Sequence, residues 1–196
     1  MYQQRKVIGV GGNIGSGKTT VTRFFKSFGA AYLSADKIGK QILTELTRKL
    51  KMKFGCRIMS GKIISRKKLG GIVFSNRNNL EYLNKLTHPI LVKRILGQIS
   101  EFKSGLFVID AALLFNWPRV LKAIDYSVLV SAQDRLKMKR VLAKSIDKEM
   151  FWRIIKVQKK ENDMAKQADF IVKNNGTLRK LKNECWRLYQ EMKNGC

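Results

Sequence analysis

Cysteine and long apolar runs are both scarce in this chain, and each absence excludes a class of protein. The three cysteines, Cys56, Cys185 and Cys196, have no C-x-x-C spacing, so they indicate neither a zinc site nor a disulfide framework. No stretch of about eighteen uninterrupted apolar residues occurs, and the first predicted strand lies too close to the N-terminus for a signal peptide. We therefore expect a cytoplasmic protein with no membrane partner.

Acidic residues are also few. The chain has 14 Asp and Glu residues against 40 Lys and Arg residues, which is a formal net charge of +26. Such an excess raises nucleic acid as a partner. The basic residues are spread through every segment, however, and no helix-turn-helix, zinc-finger or RRM pattern accompanies them. We therefore expect no specific nucleic-acid partner, and a basic nucleic-acid-binding protein is the alternative outside the enzymes.

The chain does contain a glycine-rich segment after an apolar strand. Residues 7–20 read VIGVGGNIGSGKTT and include the G-x-x-x-x-G-K-T pattern of a phosphate-binding P-loop. Its glycines let backbone N–H groups approach a phosphate chain, its lysine reaches the β- and γ-phosphates, and its threonine hydroxyl binds Mg²⁺. We expect a nucleoside triphosphate as ligand. The predicted binding residues are Gly12, Asn13, Ile14, Gly15, Ser16, Gly17, Lys18, Thr19 and Thr20, with Thr19 also a metal ligand.

Strands and helices alternate along the 196 residues, a length that allows one substantial core. A helix is predicted with Pro89 in its first turn, where proline is favoured. Alternation of this kind predicts a three-layer α/β fold with a parallel sheet, whose ligand lies at the carboxyl ends of the strands. The predicted strands are 7–10, 30–33, 106–109, 126–130 and 170–172.

Two aspartates follow predicted strands, and each admits two interpretations. Asp110 ends the strand at 106–109, where a P-loop enzyme places the acid that holds Mg²⁺ or its waters, although a helix cap or a turn is the alternative. Asp36 follows the second strand at a position that faces a nucleotide γ-phosphate. It is either a base for an attacking hydroxyl or a cap of the next helix.

Further motifs, in order along the chain, make this sequence resemble a known enzyme family. After the P-loop come Ala35-Asp36-Lys37-Ile38, Arg66-Lys67-Lys68-Leu69-Gly70, Leu86-Thr87-His88-Pro89, Asp110 with Leu113-Leu114-Phe115, and Ala168-Asp169 with Asn174-Asn175-Gly176. The ordered set resembles dephospho-CoA kinase over nearly the whole chain. The resemblance implies transfer of the γ-phosphoryl group of ATP to the ribose 3′-hydroxyl of dephospho-CoA in the presence of Mg²⁺.

The resemblance also implies a division of the chain like that of nucleoside monophosphate kinases. The P-loop core comprises 1–36, 101–139 and 167–196, a helical acceptor lobe comprises 37–100, and a lid comprises 140–166. The three parts form one kinase unit. A monomer is expected, and an oligomer stays open.

Residue roles follow from the resemblance as well. Asp36 falls on the catalytic base and also contacts the acceptor, while Asp110 falls on the acid near Mg²⁺. Lys18 and Arg140 join Asp36 in the catalytic set, since lid arginines stabilise charge that spreads over the γ-phosphate. The remaining assignments are Arg66, His88 and Phe115 to acceptor binding and Arg153 to ATP binding. For His88 the alternative is a helix-start residue whose ring is satisfied by backbone hydrogen bonds.

The chain departs from the family pattern at six positions. An ammonium at Lys144 cannot reproduce the bidentate fork or the stacking of the usual arginine. We expect the departures to affect catalytic efficiency more than identity. They are Ser34 for Asp, Lys40 for Arg, Ala112 for Pro, Asn116 for Glu, Lys144 for Arg and Lys173 for Asp.

Two rival enzymes share the P-loop. Another small-molecule or nucleotide kinase of the same fold, such as a nucleoside monophosphate kinase, differs only in the acceptor motifs, so an acceptor screen separates it. A GTPase is disfavoured, because residues 84–87 read NKLT and lack the aspartate that reads guanine.

Overall fold

The computed structural model describes residues 4–144 and 146–194, so Cys196 lies outside the described residues. No helix in these ranges is long and apolar enough to cross a membrane. The strands are β1 (Lys6–Gly11), β2 (Ala31–Ser34), β3 (Met59–Ser60), β4 (Ile63–Ile64), β5 (Leu106–Asp110), β6 (Tyr126–Ser131) and β7 (Phe170–Lys173). The helices are α1 (Lys18–Ser27), α2 (Ala35–Glu45), α3 (Thr47–Phe54), α4 (Arg66–Val73), α5 (Arg77–Glu101), α6 (Pro118–Leu121), α7 (Asp134–Leu142), α8 (Lys148–Val157), α9 (Glu161–Ala165) and α10 (Leu178–Asn194).

Five strands form a parallel sheet in the order β2-β5-β1-β6-β7. β1 lies at the centre, with Val7 opposite Phe107 of β5 and Val10 opposite Val128 of β6. Every residue of β5 is buried, as expected of a parallel strand that is covered on both faces. The α/β fold with a parallel sheet is therefore confirmed.

Two hydrophobic clusters cover the two faces of this sheet. On one face, Phe25 of α1 and Leu188 of α10 belong to a cluster with Val108 of β5. On the other face, Ile42 of α2 and Ile95 of α5 belong to the second cluster. Successive residues of a strand point to opposite faces, so β1, β5 and β6 each contribute to both clusters. The loop after β1 consequently stands on a rigid, fully packed support.

A third, smaller cluster lies in the segment between β2 and β5. It contains Leu50 of α3 together with Leu69 and Val73 of α4. Beside it, β3 and β4 pair as a short antiparallel hairpin, and Gly61 in the turn has a φ of +60°, a left-handed conformation that glycine adopts readily. The helical pattern of this segment did not predict the hairpin.

The predicted helix start near Pro89 is wrong. Helix α5 runs from Arg77 to Glu101, and Pro89 lies in its interior, where a proline removes one backbone hydrogen bond and crowds the preceding turn. The two halves of α5 pack on different clusters, Leu83 on the small one and Ile95 on the large one. Tertiary packing of both halves outweighs the local preference of proline for a helix start.

Candidate active site

The P-loop between β1 and α1 is built on three glycines with positive φ. Gly12, Gly15 and Gly17 have φ values of +140°, +75° and +101°, which L side chains rarely adopt. A Cβ on Gly12 would collide with the carbonyl oxygen of Val130, and one on Gly15 would lie 2.5 Å from the carbonyl oxygen of Lys137. The glycine pattern is therefore required both by the turn and by the close approach of neighbouring backbone.

Lys18 is the first residue of α1, and its ammonium group lies next to the P-loop. Its Nζ donates to the carbonyl oxygen of Asn13 over 3.1 Å. Loss of hydration lowers the pKa of Lys18 to about 8, and the nearby carboxylates of Asp110 and Asp36 oppose that shift only in part. A phosphate chain beside this group would restore the charged form. The geometry therefore suits a lysine that binds an anion.

Asp110 ends β5 beside the first turns of α1. Its Oδ2 accepts from the hydroxyl of Thr19 at 3.1 Å and lies 3.4 Å from the hydroxyls of Thr22 and Tyr32. These contacts are made to hydroxyls and are not those of a helix cap. A carboxylate next to a threonine hydroxyl supplies the hard oxygen ligands that Mg²⁺ prefers. The two residues predicted to bind metal, Thr19 and Asp110, are thus adjacent.

The metal would need further ligands from a nucleotide. In the described ranges, no group of three or more His, Cys, Asp or Glu side chains is placed to hold a metal ion. P-loop enzymes complete the coordination of Mg²⁺ with phosphate oxygens and water. Thr19 and Asp110 would supply two of the oxygen ligands, and phosphate oxygens and water would supply the others.

Asp36 lies in the first turn of α2 and faces Arg66 of α4. The Nη1 and Nη2 atoms of Arg66 donate to Oδ2 and Oδ1 of Asp36 at 3.2 and 3.3 Å. Ser34 is the cap of α2, since its Oγ accepts from the backbone N–H of Lys37 at 3.3 Å. The cap interpretation of Asp36 is therefore excluded. Because both members of the ion pair are exposed, the carboxylate is accessible to a substrate.

A cavity of about 720 Å³ opens beside the P-loop, and we call it the acceptor cavity. Its walls come from the start of α1, the end of β2, α2, α5 and the end of β5, which are separate segments of the chain. A nucleotide phosphate on the loop and a hydroxyl from a second substrate can therefore meet there. The predicted site residues that line it are Lys18, Thr19, Asp36, Arg66, His88 and Asp110.

His88 and Trp117 form an aromatic part of the cavity wall. Their ring centroids are 5.8 Å apart and their planes meet at 82°, an edge-to-face arrangement. Burial lowers the pKa of His88, which favours the neutral imidazole. No sequence motif marks Trp117 as a site residue. Its Nε1 is buried with no hydrogen-bond partner among the described residues.

Phe115 is not among the described residues that line the acceptor cavity, contrary to the expectation from the resemblance. It is 2 % exposed, and its ring packs against Gly11, where an added Cβ would lie 2.5 Å from the Cε2 of Phe115. The short turn at Leu114–Asn116 directs this ring into the core. Phe115 therefore supports the P-loop strand, and Trp117 occupies the cavity wall instead.

Arg140 of α7 contacts the backbone of the P-loop, whereas the resemblance implies a lid arginine that stabilises charge on the γ-phosphate. Its Nη1 donates to the carbonyl oxygens of Gly15 and Ser16 at 3.2 Å, and its Nη2 donates to the carbonyl oxygen of Asn174 at 2.8 Å. Asn174 is 6 % exposed and donates from Nδ2 to the carbonyl oxygen of Ser16 at 2.8 Å. Arg140 and Asn174 together fix the loop. In the sequence, only the family motif at 174–176 indicated that Asn174 has a functional role.

The predicted lid touches the P-loop at one end. The Oε1 of Gln158, just after α8, accepts from the backbone N–H of Ile14 at 3.0 Å. Arg153 on the same helix forms an ion pair with Glu149 one turn earlier and is not among the described residues that line the acceptor cavity. The structure thus places Gln158 next to the nucleotide loop, whereas the side-chain contact of Arg153 is to Glu149.

These features define a class of protein. The P-loop follows the central strand of a parallel sheet, an acid ends the neighbouring strand, and helices form the walls of the adjoining cavity. This arrangement is that of a P-loop phosphotransferase.

Comparison with known proteins identifies the family. A family model for dephospho-CoA kinase matches residues 6–180. The dephospho-CoA kinase of Carboxydothermus hydrogenoformans is 33% identical over 196 residues, covering 95% of this chain and 94% of that one. The structure of the dephospho-CoA kinase from Campylobacter jejuni matches with a TM-score of 0.69 and 28% identity, covering 98% of this chain and 99% of that chain. The chain belongs to the dephospho-CoA kinase family.

A more distant structural likeness concerns the fold alone. A shikimate kinase from Acinetobacter baumannii matches with a TM-score of 0.56 and 14% identity, covering 96% of this chain and 94% of that chain. The shared architecture is that of small kinases with a P-loop.

Proposed function

We propose that this protein transfers the γ-phosphoryl group of ATP to the ribose 3′-hydroxyl of dephospho-CoA, giving CoA and ADP. The observation that carries the proposal is the acceptor cavity, in which Lys18, Thr19 and Asp110 share a lining with Asp36 and Arg66. Family membership supports the identity of both substrates. Both are metabolites of the cell interior, which supports the expectation of a cytoplasmic enzyme.

Asp36 is proposed as the base. Its carboxylate accepts or orients the proton of the 3′-hydroxyl while the hydroxyl oxygen bonds to the γ-phosphorus. The bond between that phosphorus and the β–γ bridging oxygen breaks, and ADP leaves with the electron pair. Arg66 donates to both carboxylate oxygens of Asp36, which orients the base.

The phosphates are proposed to lie along the P-loop. Thr19 and Asp110 are the residues that would hold Mg²⁺, which neutralises charge on the phosphates when it is bound. Lys18 supplies positive charge at the same phosphates. Arg140 acts through the loop, since its bonds to the carbonyl oxygens of Gly15 and Ser16 fix the direction of the loop N–H groups.

The division into lobes is proposed on the same basis. Residues 37–100 form the acceptor lobe, whose own hydrophobic cluster around Leu50 and Leu69 supports a separate packing unit. Residues 140–166 form the lid, and the bond from Ile14 to Gln158 supports its contact with the nucleotide loop. Closure of a lid excludes water and is the motion by which Arg153 would reach ATP.

A coupled assay with ATP, Mg²⁺ and dephospho-CoA tests the proposed function. We expect ADP and CoA to form only when Mg²⁺ is present, while AMP and GMP are poor acceptors. Strong transfer to AMP or GMP with none to dephospho-CoA would instead identify a nucleoside monophosphate kinase of the same fold.

A further inference from the structure

We propose that a second cavity, enclosed by α4, α5 and α8, binds the pantetheine arm of dephospho-CoA. Its volume is about 340 Å³, and we call it the arm cavity. The inference rests on the proposed function, since the arm belongs to the same substrate. It adds a binding site whose described lining residues include neither the P-loop residues nor Asp36 and Asp110.

The walls of the arm cavity are mostly aliphatic. Leu69 and Val73 come from α4, Leu83 comes from α5, and Ile154 and Val157 come from α8. A pantetheine arm carries a geminal dimethyl group and several methylenes, and burial of such groups against aliphatic side chains is favourable.

Two amide side chains interrupt these aliphatic walls. Asn84 and Gln158 both line the arm cavity. The pantetheine arm contains two amide groups, and each would need a hydrogen-bond partner when it is removed from water. An apolar cavity with a few polar groups is the usual form of a small-molecule site, and the polar groups here are of the type that pairs with amides.

The arm cavity adjoins the acceptor cavity at Arg66. Arg66, Leu43 and Leu113 line both cavities. Dephospho-CoA has its parts in a matching order, because the ribose with the reacting 3′-hydroxyl is followed by a diphosphate and then by the arm. A guanidinium at the junction is well suited to a diphosphate. A substrate with its 3′-hydroxyl near Asp36 can therefore extend past Arg66 into the arm cavity.

The adenine ring is the other part of the substrate that needs an apolar surface. Tyr32, His88 and Trp117 line the acceptor cavity, and aromatic rings beside polar groups suit a flat heterocycle. The arm cavity is instead dominated by branched aliphatic side chains from α4, α5 and α8. The two linings therefore assign adenosine to the acceptor cavity and the arm to the smaller one.

An occupied arm cavity would join the acceptor lobe to the lid. Its walls combine Leu69 of the lobe with Ile154 of the lid, and Gln158 also accepts from Ile14 of the P-loop. Contacts made far from the reacting atoms can then contribute to lid closure. An acceptor that lacks the arm would lose this contribution.

Two neighbouring glycines of α4 give a matched pair of variants. Gly70 lines the arm cavity, and a Cβ there would make an ordinary contact of 3.7 Å with the ring of Phe74. Gly71 is not among the described lining residues, and apart from its chain neighbours and its own helix backbone no described atom lies within 4 Å of a Cβ added to it. Leucine at either position replaces a glycine inside a helix and is equally helix-favouring. Only Gly70→Leu fills the cavity.

The test measures steady-state kinetics and inhibition by 4′-phosphopantetheine, an arm without adenosine. We expect Gly70→Leu to raise the KM for dephospho-CoA about tenfold or more while the KM for ATP stays unchanged, and Gly71→Leu to leave both unchanged. We expect 4′-phosphopantetheine to compete with dephospho-CoA in the wild type and about tenfold more weakly in Gly70→Leu.

Several results would overturn the arm site. These are equal KM values in the two leucine variants, equal inhibition of wild type and Gly70→Leu, or no competitive inhibition of the wild type. Inhibition of the wild type by 4′-phosphopantetheine needs no variant, so this measurement tests the arm site even if Gly70→Leu does not fold. If the wild type does not phosphorylate dephospho-CoA at all, the proposed function fails. If it does so while Gly70→Leu behaves like Gly71→Leu, only the arm site fails.

Discussion

At the scale of single residues, the substitution Asp36→Asn tests whether Asp36 has a catalytic role or only a structural one. Asp36→Asn keeps the size of the side chain and removes the base. We expect kcat to fall roughly 100-fold or more, the scale typical of a lost general base, with ATP affinity nearly unchanged. Steady-state kinetics with ATP affinity from calorimetry measures both. Turnover close to that of the wild type would remove Asp36 from the catalytic set.

Lys18 gives a prediction that depends on pH. Its pKa is lowered to about 8 by desolvation in the free protein, and bound phosphates favour its charged form. Above pH 8 the free lysine is mostly neutral, so ATP binding should take up a proton, whereas well below pH 8 the lysine is already charged and uptake should vanish. Calorimetry of ATP binding in buffers of different ionisation enthalpy measures this uptake.

The matched variant for this measurement is Lys18→Ala. It should weaken ATP binding, slow the transfer and abolish proton uptake above pH 8, because the lysine contacts the phosphates in the ground state and in the transition state. Uptake that persists in Lys18→Ala would assign the proton to another group.

At the scale of elements, the turn after β7 and the helix α7 together hold the P-loop. Asn174→Ala removes the side-chain bond to the carbonyl oxygen of Ser16 and one contact of Arg140. Buried polar groups left unpaired cost about 1–3 kcal/mol. We therefore expect a lower melting temperature and weaker ATP binding, measured by thermal unfolding and calorimetry.

The neighbouring asparagine is the control for that change. Asn175 is exposed, and its Oδ1 accepts from the backbone N–H of Gln133, away from the P-loop carbonyls. Asn175→Ala should leave ATP affinity close to that of the wild type. Equal losses of ATP affinity in both variants would mean that the turn as a whole, and not the bond from Asn174, supports the loop.

At the scale of the whole molecule, part of the net positive charge of +26 is located at the acceptor cavity. Basic side chains line the acceptor cavity, where both substrates are polyanions and positive charge favours their association. Most of the remaining basic residues lie on the surface, although Lys137 is buried. The cavity members outside the P-loop and Arg66 are Arg23, Lys26, Lys37 and Lys40.

A diffuse positive surface predicts a particular kind of binding to nucleic acid. Binding to duplex DNA should be weak and insensitive to sequence, and it should collapse by physiological ionic strength, because it would arise from counterion release alone. Titrations with unrelated duplexes over a series of salt concentrations measure this. Tight binding at about 150 mM salt with preference for one sequence or RNA structure would favour a nucleic-acid-binding protein instead.

Local patterns in the sequence were enough to predict the sheet and the loop. A buried parallel strand is a short apolar run, and a P-loop is a contiguous set of glycines, a lysine and a threonine, so both are contained in a few neighbouring residues. The ordered family motifs then identified the reaction. Asp36 and Asp110 were found because each directly follows a strand, and the carboxyl ends of parallel strands meet at one edge of the sheet.

Contacts between distant segments were decided only by the tertiary structure. Arg140 bonds to Gly15, 125 residues away, and no local pattern shows that its guanidinium faces the loop. The burial of Phe115 and the place of Trp117 in the wall of the acceptor cavity depend on how one short turn packs against β1. Pro89 remains inside α5 because the two halves of that helix are held by different cores. In each case the outcome depends on packing between segments that are far apart in the chain, whereas sequence patterns report on neighbours.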